Sequence, residues 1–242
     1  MISPADVAAN LARVRERMAA ACARSGRPED QVRLVAVCKR IPLELVVAAC
    51  AQDQWELGES RIQEAVPRQR ELAARLVDAG LDPGRVQWHF VGHLQRNKAS
   101  RAVGAFRLLH GVDSLRLAEK LSERATAANV VQPVLMQVDV AREPQKHGVS
   151  PADFPAVLDE MAALPQLELR GLMCMAALDA PPDDVRATFA TLRQLAEDAR
   201  RATGLPLPEL SMGMTDDFEL AIAEGSTMIR VGTAVFGPRL PA

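Results

Sequence analysis

The chain has 242 residues, 48% of them hydrophobic and 25% charged, with a net charge of −2, the balance of an ordinary globular protein. No Lys/Arg-rich block forms a stripe for nucleic acid and no apolar run is long enough to span a bilayer, so nucleic-acid-binding and membrane-embedded classes are set aside. Cys22, Cys38, Cys50 and Cys174 are scattered without a C-x-x-C pair, which points to free thiols in a reducing cytoplasm rather than to disulfides or structural zinc.

The opening segment, "MISPADVAANLARVRERMAAACARSGRP", predicts an amphipathic helix over about residues 3–25, capped by Ser3, with Pro4 in its first turn and its end near Gly26. Arginines at helical spacing interrupt its apolar residues, so it does not read as a secretory signal. After it, short apolar runs alternate with longer helical patterns. The predicted strands are "RLVAVC" (33–38), "QWEL" (54–57), "VQWHFVG" (86–92), "FRLLHGV" (106–112), "PVLMQVDV" (133–140), "LELRGLMC" (167–174), "LPELSM" (207–212) and "TMIRVG" (227–232). Between them lie helical stretches such as "LELVVAACAQ", "SLRLAEKLSERATAAN", "DDVRATFATLRQLAEDARRATG" and "DDFELAIAEG".

Sustained β-α alternation implies parallel strands with right-handed crossovers. Eight such strands suit a single (β/α)8 TIM barrel over residues 1–242, close to the typical barrel length of ~250 residues. A doubly wound open sheet would alternate in the same way, so periodicity alone leaves both. In a barrel the strand C-terminal ends carry the chemistry. Lys39 would then cap strand 1, "GES" strand 2, "GHLQRNK" strand 3, "SMGMTDD" strand 7 and "RVGTAVFG" strand 8, all on one rim.

Ser211, Gly213 and Thr215 precede a helix, and Gly232 and Thr233 precede a short helical turn. Small residues with available backbone N–H groups at such places bind phosphate, and the loops after strands 7 and 8 are the usual barrel phosphate site. Arg230 stands between apolar neighbours near the end of strand 8 and needs an acceptor, since its charge cannot be shed. His89 and His93 have i, i+4 spacing but flank a strand end and Gly92 without a third ligand in sequence, so zinc is set aside. Lys146 in "EPQKHGV" reads as a loop lysine. An amine, a phosphate cradle and an arginine on one rim match the binding logic of pyridoxal 5′-phosphate (PLP).

The stretches "AVCKRIP", "LGESRIQE", "WHFVGHLQRNK" and "LSMGMTDDFELAIAEGSTMIRVGTAVFG" closely resemble the pyridoxal phosphate homeostasis protein family, whose barrel is like that of alanine racemase. The resemblance runs from about residue 3 to residue 237. It implies one PLP on the rim, held as an aldimine of Lys39, with Ser211, Gly213, Gly232 and Thr233 in the phosphate loops and Arg230 facing the pyridine nitrogen. It also implies a role in PLP homeostasis and supply to apo-enzymes. Two positions depart from the family pattern: Cys38 stands where Ser or Thr is usual before the lysine, and Ser60 where Asn is usual after strand 2. Ser60 is a shorter candidate for any cofactor contact, and Lys146 fits the family's K-x-G pattern as a secondary acceptor.

The chain has no tyrosine, and racemases of this barrel type use a tyrosine from a second domain of a dimer. A PLP carrier or regulator, cytoplasmic and monomeric, is therefore the expected reading. A racemase- or lyase-like enzyme is the alternative, and a phosphosugar-binding barrel a third.

Overall fold

Each expected strand forms, and the eight close on themselves. The computed structural model describes residues 2–141 and 147–238, so Lys146 lies outside the described residues. In chain order the strands are β1 (Arg33–Val37), β2 (Glu56–Glu59), β3 (Gln87–Phe90), β4 (Leu108–Val112), β5 (Gln132–Gln137), β6 (Leu167–Met173), β7 (Glu209–Ser211) and β8 (Met228–Val231). Every strand pairs in parallel with the next, and β8 pairs with β1 in the register Ala36↔Val231. This settles the choice left open by periodicity: the sheet is a closed (β/α)8 barrel.

The longer helices are α1 (Pro4–Arg24), α2 (Leu43–Cys50), α3 (Ile62–Asp78), then the short α4 (Ala99–Ala102) and α5 (Leu115–Ala128). They continue with α6 (Phe154–Ala162), α7 (Pro182–Thr203), α8 (Phe218–Ala223) and α9 (Thr233–Phe236). Helix α1 starts as its sequence requires. The Ser3 hydroxyl accepts from the Asp6 N–H at 3.2 Å, and the Asp6 carboxylate accepts from the Ser3 N–H at 2.8 Å, a reciprocal capping box. The helix buries Val7, Leu11 and Val14 against α2, α8 and α9, outside the seam where β8 meets β1. The Asn10 side chain donates to the Val235 carbonyl at 2.9 Å.

Strand limits differ from the sequence expectation by up to three residues, and two of the differences have a visible cause. Strand β2 begins at Glu56 rather than Gln54, because the Gln54 amide is spent on the Leu34 and Glu56 carbonyls at 2.7 and 2.9 Å. Strand β5 stops at Gln137, after which Val138 bridges to Val149 instead.

Most of the apolar core lies between the sheet and the helices. The barrel interior is filled by Val35, Leu108, Leu135, Met173 and Met228, and beside them runs a polar seam. Its links are Glu56 Oε2 with His89 Nε2, His89 Nδ1 with His110 Nε2 (2.9 Å), and His110 Nδ1 with Ser211 Oγ (2.8 Å). At the far end Arg230 donates to Ser211 Oγ at 2.7 Å and to the Cys174 carbonyl at 3.0 Å. Burial pushes the Glu56 carboxyl up, but the hydrogen bond from His89 and the nearby charges outweigh it and hold it below the usual range. With Glu56 ionised, an ordering that gives every contact one hydrogen has Ser211 donating to His110, His110 to His89, and His89 to Glu56. The seam is therefore polarised from the rim to the opposite mouth.

Burial holds His110 well below the usual imidazole range, with the charge of Arg230 adding to the effect. An unfolded histidine takes its proton near ~6.5, which the folded chain refuses until lower pH. Its contribution to stability is thus complete above about pH 6.5 and is lost as pH falls below that, by up to ~1.4 kcal/mol per pH unit. Denaturant unfolding followed from pH 7.5 to pH 5 checks this; a His110→Asn variant, less stable throughout, should lose one proton's worth of that slope.

Candidate functional site

Closure of the barrel brings residues from both ends of the chain onto one rim. After β1, the chain turns through Cys38–Ile41, closed by the Ile41 N–H on the Cys38 carbonyl at 3.1 Å. Lys39 is half-buried in this turn and Arg40 takes a left-handed backbone at φ 59°, a strained state for a non-glycine residue that needs support. Arg68, on α3, supplies it. Its guanidinium donates to the Cys38 and Ile41 carbonyls at 3.1 and 2.9 Å and to Glu59 Oε1 at 3.0 Å. Burial pushes the Glu59 carboxyl up, and the Arg68 charge opposes that shift without cancelling it. Cys38 is fully buried, and its thiol is pushed well above its usual value by desolvation and then by Glu59.

The loops after β7 and β8 lie side by side, next to that turn. Gly213 has φ 95°, and a Cβ there would stand 2.6 Å from the Ala221 Cβ, so only glycine lets the chain pass this close to α8. Its carbonyl accepts the Arg230 N–H at 2.9 Å. The Ala234 N–H reaches Thr215 Oγ1 at 3.4 Å, tying the two loops together. Gly232 sits beside β1, where an added Cβ would be 3.3 Å from the Val37 carbonyl oxygen, and Thr233 opens α9 directly after it.

Arg230 is 5% exposed. Desolvation lowers its pKa, and Cys174 and Asp217 pull it back up, so the guanidinium stays charged. Asp217 is itself pushed up by burial, while its hydrogen bond from the Met214 N–H and the Arg230 charge act the other way. The bonds to Ser211 and Cys174 use only part of the Arg230 donor fork.

The structure thus gathers Lys39, Gly213, Arg230, Gly232 and Thr233 around the β7–β8–β1 portion of the rim. Ser211 ends β7 with its hydroxyl turned into the barrel, bonded to His110 and Arg230 rather than to the loop. Ser60 follows β2, half-buried and packed against the Gly92 backbone so closely that a Cβ at Gly92 would meet the Ser60 carbonyl oxygen at 2.4 Å. His89 and His93 part company: His89 lies in the buried seam, whereas His93 sits outside it with Nδ1 2.9 Å from Asp113 Oδ2.

Sequence reasoning missed Arg68, which looks like any other arginine on the charged face of α3. It also missed the linkage of His110 to Ser211. The signals available were Glu59, an acidic residue at the buried end of β2 after Leu57 and Gly58, and two histidines inside apolar strands. Neither signal names its partner.

The family model for the alanine racemase N-terminal domain matches residues 3–240. A pyridoxal phosphate homeostasis protein of Pseudomonas aeruginosa is 40% identical over 233 residues, 96% of each chain. That of Aquifex aeolicus is 38% identical over 95% of this chain and 96% of its own. Among solved structures, PipY of Synechococcus elongatus with PLP bound superposes with a TM-score of 0.79 at 38% identity, covering 96% of this chain and 100% of that one. Similarity of this degree, carried from end to end on a barrel whose rim holds the motif residues together, shows that the chain belongs to the pyridoxal phosphate homeostasis protein family.

Proposed function

We propose that the protein binds PLP on this rim and serves to hold and supply it rather than to catalyse with it. The observation that carries the reading is the convergence of the clamped Lys39 turn, the Gly213 and Gly232–Thr233 loops and the buried Arg230 where β7, β8 and β1 meet. The residues fit the group. Arg230 is a buried cation with donor capacity to spare, and the paired loops offer backbone of the kind that cradles phosphate. Lys39 is the Schiff-base lysine of this reading. Gly213, Gly232 and Thr233 take the phosphate, and Arg230 faces the ring nitrogen. Ser211 acts by orienting Arg230, since its hydroxyl hydrogen is committed to His110. Ser60 borders the site from β2.

Bound PLP supplies an electron sink, and that sink is strongest when its ring nitrogen is protonated. Arg230 is a fixed cation and cannot share a proton with that nitrogen in the way a carboxylate would, so it favours the weaker sink. Among the described residues, Cys38 and His89 do not supply a second acid/base group, and no tyrosine can. The chain has no tyrosine, Cys38 is buried with its thiol pushed well up, and both ring nitrogens of His89 are engaged in the seam. Supply of the cofactor to apo-enzymes, a cytoplasmic setting and a monomeric state belong to the same proposal. The four cysteines are buried and none is in a disulfide, as a reducing compartment allows.

The purified protein should be yellow, and borohydride should fix one PLP on Lys39. A colourless protein, or a Lys39→Ala variant labelled to the same extent at another residue, would count against the site. Turnover of an amino-acid isomer at enzyme-like rates would replace the carrier reading with the racemase-like one. Arg68→Ala, which strands Glu59 in a site where its side chain is 1% exposed, should cost ~3–5 kcal/mol of stability and loosen PLP. Adding Glu59→Gln should recover part of the stability but not the grip, because the Lys39 turn stays unclamped; denaturation and dialysis read the two separately.

A further inference from the structure

Across the rim from the PLP surface, the loops following β3, β4 and the β5 extension bring three ligand-type side chains together. One ring nitrogen each of His93 and His147 and a carboxylate oxygen of Asp113 all lie within 4.8 Å of one another. Asp113 Oδ2 is the common point, 2.9 Å from His93 Nδ1 and 3.9 Å from His147 Nδ1. The two imidazoles stack with centroids 3.7 Å apart and planes 12° from parallel, so nitrogens on neighbouring rings face the same carboxylate. We propose that His93, Asp113 and His147 form a binding site for a borderline divalent transition metal of the zinc class, separate from the PLP site.

The surroundings support a built site. The Ser114 hydroxyl donates to Asp113 Oδ1 at 3.1 Å, which orients the carboxylate and presents Oδ2, as outer-shell partners of metal ligands do. The Asp113 side chain is only 10% exposed, whereas His93 and His147 are 42% and 56% exposed. The acid is therefore preset, and the imidazoles are able to swing. His147 is anchored through its backbone: its carbonyl accepts from the Gln137 amide, and Val149, two residues on, bridges to Val138 with the Val149 N–H on the Gln137 carbonyl at 2.8 Å. A metal bound tetrahedrally at ~2.0–2.2 Å sets its ligand atoms about 3.4 Å apart, so modest ring rotations close the triad.

Arg96 and Arg116 line the same cleft. Their charges oppose a dication, so affinity must come from coordinate bonds to imidazole nitrogen. That selects Co2+, Ni2+, Cu2+ or Zn2+ and excludes Mg2+ and Ca2+, which depend on oxygen ligands and negative charge. Three protein ligands at a solvent-facing rim leave a coordination position open. The sequence hid this site because its members are separated by 20 and 34 positions, and the pair it did offer, His89 and His93, is the wrong one.

The test uses the full chain, stripped of metal and free of PLP. Titration with Co2+ should give visible d–d bands saturating at about one equivalent, and Zn2+ should abolish them while Mg2+ and Ca2+ do not. His93→Ala and His147→Ala, both exposed positions, should each weaken Co2+ binding at least tenfold, and Asp113→Asn should do the same with its fold checked by circular dichroism. Lys39→Ala should leave binding unchanged, which keeps this site's outcome distinct from that of the PLP site. Absence of saturable Co2+ binding below ~100 µM, or its survival in the His93→Ala/His147→Ala double variant, would overturn the proposal.

Discussion

Arg230 is a permanent charge placed inside a barrel, and the arrangement around it is organised by the need to satisfy that charge. A guanidinium with 5% exposure requires acceptors and counter-charge at short range. Ser211 and the Cys174 carbonyl accept from it, and Asp217 supplies opposing charge nearby. Ser211 is held in turn by His110, His110 by His89, and His89 by Glu56 at the other mouth. The interior of the barrel is thus a directed hydrogen-bond chain flanked by five apolar side chains. Its cost in desolvation is offset only because every member is paired.

The same constraint explains the shape of the rim. Strand β7 is three residues long, so Ser211 ends it where Arg230 needs a partner, and the chain must then turn at once. Gly213 makes that turn possible, and its carbonyl closes back on the Arg230 N–H. On the other side of β8, closure onto β1 brings the Lys39 turn alongside. There the strain of Arg40 is held by Arg68, which is itself neutralised by Glu59. Two buried or half-buried arginines, Arg68 held by Glu59 and two carbonyls and Arg230 by Ser211 and one carbonyl, frame the surface that the proposed cofactor would occupy.

Particular elements show what was legible in advance. The apolar runs of β1 and β8 read as buried strands because parallel barrel strands are covered on both faces, and both were found within a residue or two of their expected limits. The "QWEL" run misled because Gln54 looks like part of a strand while its amide serves as a staple. Lys39, Gly213, Arg230, Gly232 and Thr233 could be placed on the rim, since strand-end position and residue type carry that signal. Ser211 was named for its loop, yet its hydroxyl serves Arg230. Side-chain direction at a strand end depends on a neighbour 101 positions away.

The order of strands and helices, the rim membership of the motif residues and the family are determined by the sequence alone, because each is written in local periodicity or in contiguous motifs. Closure of the sheet, the clamp of Arg68 on the Lys39 turn, the polarised seam and the meeting of His93 with Asp113 and His147 were decided only by the tertiary structure. Each joins side chains far apart in the chain, and the physical selection among possible partners, by burial, charge and hydrogen-bond balance, operates only once the barrel has brought them within reach.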